Sequence, residues 1–233
     1  SVPKLILFII AAMLLLGVLL VAMFRPGRKE SSEEEPELAL SGAGFNEQSI
    51  AAPGGLFYDR SHTWAYMEKD GAVKVGIDDF MQHITGPITR VEMKKAGEKV
   101  KKGEVFLSLV QKGKQLHLYA PVSGTILEYN RVLDYNATAV NTSPYSDGWI
   151  YRIEPANWLK EIPLLNMAAQ YKNWMAGEFI RLKEFLANAL KSNKPEFAII
   201  TLQDGGSLKS NILEEFGPEI WEEFQTRFID SNK

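Results

Sequence analysis

From Leu56 to Pro155 the chain alternates short β-branched and aromatic runs with turn pairs, Asp70-Gly71, Ala96-Gly97, Lys102-Gly103, Ser123-Gly124 and Asp147-Gly148. That rhythm constrains the fold to a mainly β unit, expected as a flattened barrel of two facing sheets. Its sharpest element is Val105 to Gly124, VFLSLVQKGKQLHLYAPVSG, in which two apolar runs flank a Lys112-Gly113-Lys114 tip. This predicts a β-hairpin, with glycine supplying the positive φ of a tight turn.

The flanks follow other rules. Leu5 to Phe24 is an uncharged apolar run of twenty residues. At about 1.5 Å per residue it matches a hydrocarbon core of roughly 30 Å, which predicts one transmembrane helix over 5–24 within an anchor of residues 1–30. A cleavable signal peptide has a shorter apolar region and a small-x-small site, which Val21-Ala22-Met23-Phe24 does not supply. Lys4 precedes the span, whereas Arg25, Arg28 and Lys29 follow it, so the expected topology is single-pass with the body in the cytoplasm. Residues 31–56 carry five glutamates and no Lys or Arg, and read as an acidic linker.

The β domain is expected over residues 57–160. Beyond it, residues 161–191 read as an amphipathic helical segment. Leu164, Ala168, Tyr171, Met175, Leu182, Leu186 and Ala189 recur at three- and four-residue steps, with Trp174, Phe179, Phe185 and Leu190 widening the stripe and a break expected near Gly177. Residues 192–233 read as a strand over Phe197 to Leu202, a turn at Gln203 to Gly206, and a helix starting at Gly217-Pro218. Ile220, Trp221, Phe224 and Phe228 share one helical face, too many large apolar side chains for so short a segment to bury alone. The extension must pack on the barrel or on another protein. Trp221, Phe224, Phe228 and Trp174 are the candidate partner-binding residues.

Composition excludes several classes of chemistry. A net charge of −3 without a basic stripe argues against nucleic acid. The absence of cysteine removes disulfides, thiolate nucleophiles and thiolate metal sites. His62, His83 and His117 show no metal-ligand spacing, and the adjacent pairs Asp78-Asp79 and Glu214-Glu215 do not share a face as an acid/base pair would.

Several separated motifs together carry a family resemblance: Ser61-His62-Thr63-Trp64; Val75-Gly76-Ile77-Asp78-Asp79-Phe80; Thr85-Gly86-Pro87-Ile88; Gly97 to Glu104; the Tyr119 to Gly124 run; and Asn141 to Ile150. In order and spacing they resemble the H protein of the glycine cleavage system, over roughly Phe57 to Ala156, about two-fifths of the chain. The resemblance implies a barrel-sandwich hybrid of the lipoyl type, a short helix over Asp78–Ile84, and His62 near the cleft that receives a loaded lipoyl arm. In that family the lipoyl-lysine lies ten residues after the glycine of the KKGE turn and eight before the proline of PVSG. From Gly103 and from Pro121 both counts land on Gly113, and Val110 and Gln111 stand where the family has glutamate and serine.

The expectation is therefore a non-catalytic, membrane-anchored H-like binding or structural subunit of a multi-subunit membrane assembly, with no cofactor and no metal. The alternative is a lipoyl carrier modified at Lys112 or Lys114, with lipoate as cofactor, shuttling a group or electrons between membrane-associated enzymes.

Overall fold

The computed structural model describes residues 44–193 and 208–232. The run Leu5–Phe24 and the expected strand Phe197–Leu202 lie outside the described residues, and among those no helix is long and apolar enough to cross a membrane.

Among the described residues ten strands form two sheets. In chain order they are β1 (Phe57–Asp59), β2 (Thr63–Met67), β3 (Val73–Ile77), β4 (Arg90–Met93), β5 (Lys99–Val100), β6 (Val105–Gln111), β7 (Lys114–Tyr119), β8 (Gly124–Tyr129), β9 (Tyr151–Pro155) and β10 (Asn166–Met167). The larger sheet runs β10-β1-β2-β3-β9-β8-β5 and the smaller β4-β6-β7, every pair antiparallel. Tyr151 bolts the sheets together, its hydroxyl donating to Phe106 O at 2.8 Å and accepting from Lys94 N–H at 2.6 Å. The mainly β expectation is met. Between strands lie α1 (Asp79–Thr85), α2 (Ala139–Thr142) and α3 (Trp158–Glu161).

The sequence motifs turn out to be packing devices. Trp64 is buried and stands opposite Gly76 across β2 and β3. A Cβ at Gly76 would lie 2.7 Å from the indole, so only glycine lets the ring lie flat on the neighbouring strand. The indole N–H donates to Pro144 O at 3.1 Å, which ties the Asn141 to Ile150 motif to the same ring. Asn141 fastens the end of α1, accepting from Ile88 N–H at 2.9 Å and donating to Gly86 O at 2.9 Å. Asp78 caps α1 by accepting from Met81 N–H at 2.9 Å.

One long helix, α4 (Ala168–Asn193), lies along the barrel. Tyr171, Met175, Phe179, Leu182, Phe185, Leu186 and Ala189 are its buried stripe, as their spacing predicts. Two details differ from the sequence expectation. Leu164 precedes the helix in a 3-10 turn and is exposed, so it is not part of the stripe. The helix also passes through Gly177 without a break. Gly177 faces solvent with nothing near a Cβ position, and its propensity penalty of about 1 kcal/mol is outweighed by the buried stripe on either side. Gly177→Ala should accordingly raise stability by roughly 0.5–1 kcal/mol, seen as a higher denaturation midpoint; a lower midpoint would show that the glycine serves a bend or a contact.

The expected linker is shorter than its composition suggests. Phe45 and Ile50 are buried, Phe45 pairs with Leu208 through both backbone groups, and the Ala51 backbone is held by Asp79 and the Tyr145 hydroxyl. Residues 44–56 thus belong to the folded body. Two isolated apolar residues in a polar stretch carry no periodicity, which is why the sequence reads as a tether there.

Candidate functional site: the hairpin tip and its strap

The register Gln111↔Lys114 leaves Lys112 and Gly113 as a two-residue loop. Both have positive φ, 48° and 85°, the geometry of a type I′ hairpin turn, and glycine relieves the strain at the second position. A Cβ built on Gly113 meets nothing within 4 Å. The position that the motif counts select is therefore at the very tip and open to solvent, but it offers only backbone. Gly113 itself has no side chain that could form an amide with lipoate.

The two flanking lysines are in different states. Lys112 is exposed, with its ammonium 2.8 Å from a Glu214 carboxylate oxygen. Lys114 donates to Glu214 O at 2.8 Å, to Phe216 O at 3.0 Å and more weakly to Leu213 O at 3.5 Å, while lying 4.9 Å from the Trp221 ring centre. Three acceptors match the three donors of an ammonium, and the indole face adds a cation–π contact. Desolvation lowers the Lys114 pKa, Glu214 opposes the shift and Lys112 adds to it.

These contacts come from a C-terminal strap, residues 208–232, that lies across the hairpin. It comprises a 3-10 turn (Ile212–Glu215), helix α5 (Pro218–Phe224), a π-helical turn (Gln225–Ile229) and a final 3-10 turn (Asp230–Asn232). Strand β7 is an edge of its sheet, and the Gln225 side chain pairs that edge as a neighbouring strand would. Its amide oxygen accepts from His117 N–H at 2.8 Å and its amide nitrogen donates to His117 O at 3.0 Å. Next along the edge, the Tyr119 hydroxyl donates to Asp230 at 2.6 Å, and burial together with that carboxylate pushes its pKa up to about 12.

The strap settles how the tail aromatics pack. Trp221 is 1% exposed and donates to Leu213 O at 2.8 Å. Phe224 and Phe228 are also buried, stacked at 4.7 Å and joined edge-on by Phe185 of α4. The three rings named above as partner-binding candidates close a core against this chain's own barrel and helix, so none of them offers a free surface to another protein. Trp174 differs, being half-buried with its ring 5.2 Å from His62 and 5.8 Å from Tyr171.

His62 lies away from this contact and is fully buried. Its Nδ1 is 2.9 Å from Asp78 Oδ2, which also accepts from the Tyr171 hydroxyl at 2.7 Å. Its ring stacks on Phe80 at 4.6 Å, and Nε2 has no hydrogen-bond partner. Burial, followed by the Asp78 charge, raises the pKa of Tyr58, Tyr145 and Tyr171, so the three phenols stay protonated. The histidine that the resemblance places beside an arm-receiving cleft is here roofed by α4. Among the described residues no group of His, Asp and Glu is arranged to hold a metal ion. Glu214, Gln225 and Asp230, which make the strap contacts, had no signal in the sequence beyond being polar.

Set beside known proteins, residues 56–178 match the family model described as glycine cleavage H-protein. The chain is 38% identical over 121 residues to a probable glycine cleavage system H protein of Pyrococcus abyssi (strain GE5 / Orsay), covering 52% of this chain and 90% of that one. It is 40% identical over 126 residues to the glycine cleavage system H protein of Halorhodospira halophila (strain DSM 244 / SL1), covering 54% and 96% respectively. Among solved structures it is similar to a glycine cleavage system H protein from Mycobacterium marinum, with 29% identity, a TM-score of 0.47, and coverage of 52% of this chain and 97% of that one. The family match ends at residue 178, so the strap lies beyond it.

Proposed function

We propose that this chain, which belongs to the glycine cleavage H-protein family, is a non-catalytic, membrane-anchored subunit of a multi-subunit membrane assembly that carries no lipoyl group. The observation that supports this most is the tip itself: glycine at position 113, with Lys114 bound to three carbonyls and an indole of the strap. Attachment of lipoate needs an accessible lysine amine at the tip. Here the same hairpin has become a docking face for the chain's own C-terminus.

The membrane assignment rests on the Leu5–Phe24 run, and the cytoplasmic orientation on Arg25, Arg28 and Lys29 behind it. The protein is expected to stay in the membrane pellet after carbonate washing. Protease added outside right-side-out vesicles should leave the body intact; digestion from that side would reverse the topology.

The second reading, a carrier modified at Lys112, is favoured by one feature, the 68% exposure of that side chain. Intact-mass measurement after incubation with lipoate, ATP and a lipoate ligase separates the two. The unmodified mass is expected for the wild-type chain. Gly113→Lys, whose new side chain projects into open space, should gain one lipoyl group and so show that the ligase can read the hairpin. A lipoyl adduct on the wild-type chain that vanishes in Lys112→Ala establishes the carrier instead.

A further inference from the structure

We propose that the edge of the barrel formed by α3, the following 3-10 turn and β10 rests on the bilayer surface, its apolar side chains inserted among the lipids and its cations against anionic headgroups. This rests on the membrane-anchored reading above and extends it to the orientation of the folded body. Between Trp158 and Met167 three large apolar side chains face solvent: Leu159 at 84%, Leu164 at 66% and Met167 at 58% exposure. They are not scattered. Met167 stands opposite Phe57 in the β1–β10 pairing, and the half-buried Phe57 ring meets Trp158 edge-on at 5.5 Å. Single exposed apolar residues need no explanation, but a contiguous group on one edge marks a contact surface.

The charge pattern identifies what it contacts. The two acidic residues within β1, α3, the 3-10 turn and β10 themselves, Asp59 and Glu161, are both buried and bound. Asp59 is taken by Lys102 and Ser61, and Glu161 accepts from Ser123 N–H at 2.8 Å and from its hydroxyl. Arg60 and Lys160, beside them in the chain, are exposed. The edge therefore presents leucines and a methionine beside a half-buried indole, with Arg60 and Lys160 as its exposed charges, the composition of an interfacial membrane contact, in which long basic side chains reach the headgroups while their neighbours enter the acyl boundary. Tyr135, exposed at 81%, lies next to Asp134 in a groove that holds both Glu128 and Arg131, and serves as the comparison position away from this edge.

The chain has no cysteine, so single-cysteine labelling is clean. The full chain would be reconstituted into phosphatidylcholine/phosphatidylglycerol vesicles as Leu159→Cys, Leu164→Cys and Tyr135→Cys. Each would carry an environment-sensitive fluorophore and be read with and without nitroxide-bearing lipid. Insertion to roughly 5–10 Å should quench the probes at 159 and 164 severalfold more than the probe at 135, and salt should weaken the difference. If the protein floats with the vesicles but the probes at 159 and 164 are quenched no more than that at 135, the edge faces water or a protein, and the proposal fails while the anchor stands. If the protein does not float with the vesicles, the anchor reading falls, and the bilayer contact falls with it.

Discussion

Asp78→Ala is expected to destabilise the protein by about 3–5 kcal/mol, one of the two largest single-residue effects in the molecule. The carboxylate is completely buried and satisfies donors from three elements: His62 Nδ1 before β2, the Tyr171 hydroxyl on α4 and the Met81 N–H that opens α1. Removing it strands all three in a pocket walled by Phe80 and leaves α1 without its cap. Asp78→Asn keeps an acceptor for the cap but loses the charge, and should fall between alanine and wild type. Arg90→Ala, which breaks only the exposed pair with Glu92, should change stability by about 0–1 kcal/mol. Urea unfolding of the full chain in detergent reads all three. An Asp78→Ala midpoint indistinguishable from wild type would mean that the cluster is not a fastening point.

The same cluster accounts for the buried polar groups beneath α4. Tyr171 and Trp174 of α4 pack beside His62, and Tyr58 stacks on Tyr171 at 4.2 Å. Buried polar groups are costly unless they find partners within the protein. Asp78 supplies them for His62 and Tyr171.

Much of this was legible in the sequence, and the limits are physical. The hairpin, its tip and the glycine at the counted position are local features, and a type I′ turn announces itself in a glycine between two apolar runs. Trp64 and Gly76 were visible as motif residues, though only the strand register shows that one makes room for the other. The stripe of α4 obeyed its period. The strap's docking was not legible. Lys112 and Glu214 are 102 residues apart in the chain, and pairing between a lysine and a glutamate at that separation leaves no periodic trace. Gln225 imitates a strand with one side chain, so no β-pattern marks it. In the sequence Trp221, Phe224 and Phe228 stand out only as rings that need a surface, a partner's or the chain's own; that they bury against the chain's own hairpin and α4 depends on tertiary geometry alone.

Trp221→Ala tests that packing. The side chain fills a site with 1% exposure, donates to Leu213 O and lies under the Lys114 ammonium, so truncation removes a large ring, a hydrogen bond and a cation–π contact together. Loss of about 3–5 kcal/mol is expected, with a correspondingly lower melting temperature. Trp221→Phe should retain much of the packing and lose less. A second reading follows from Lys114. In the wild type its amine is held by strap carbonyls and should react slowly with an acylating reagent, whereas Lys112, exposed beside it, should react readily. Loosening the strap frees Lys114, so Trp221→Ala should accelerate modification at 114 and leave 112 little changed, as measured by peptide mass mapping below the melting temperature. A merely lowered stability without that site-selective change would show that Trp221 supports the barrel without locking the tip. Unchanged melting together with loss of co-purifying proteins would return the indole to the role of a partner contact.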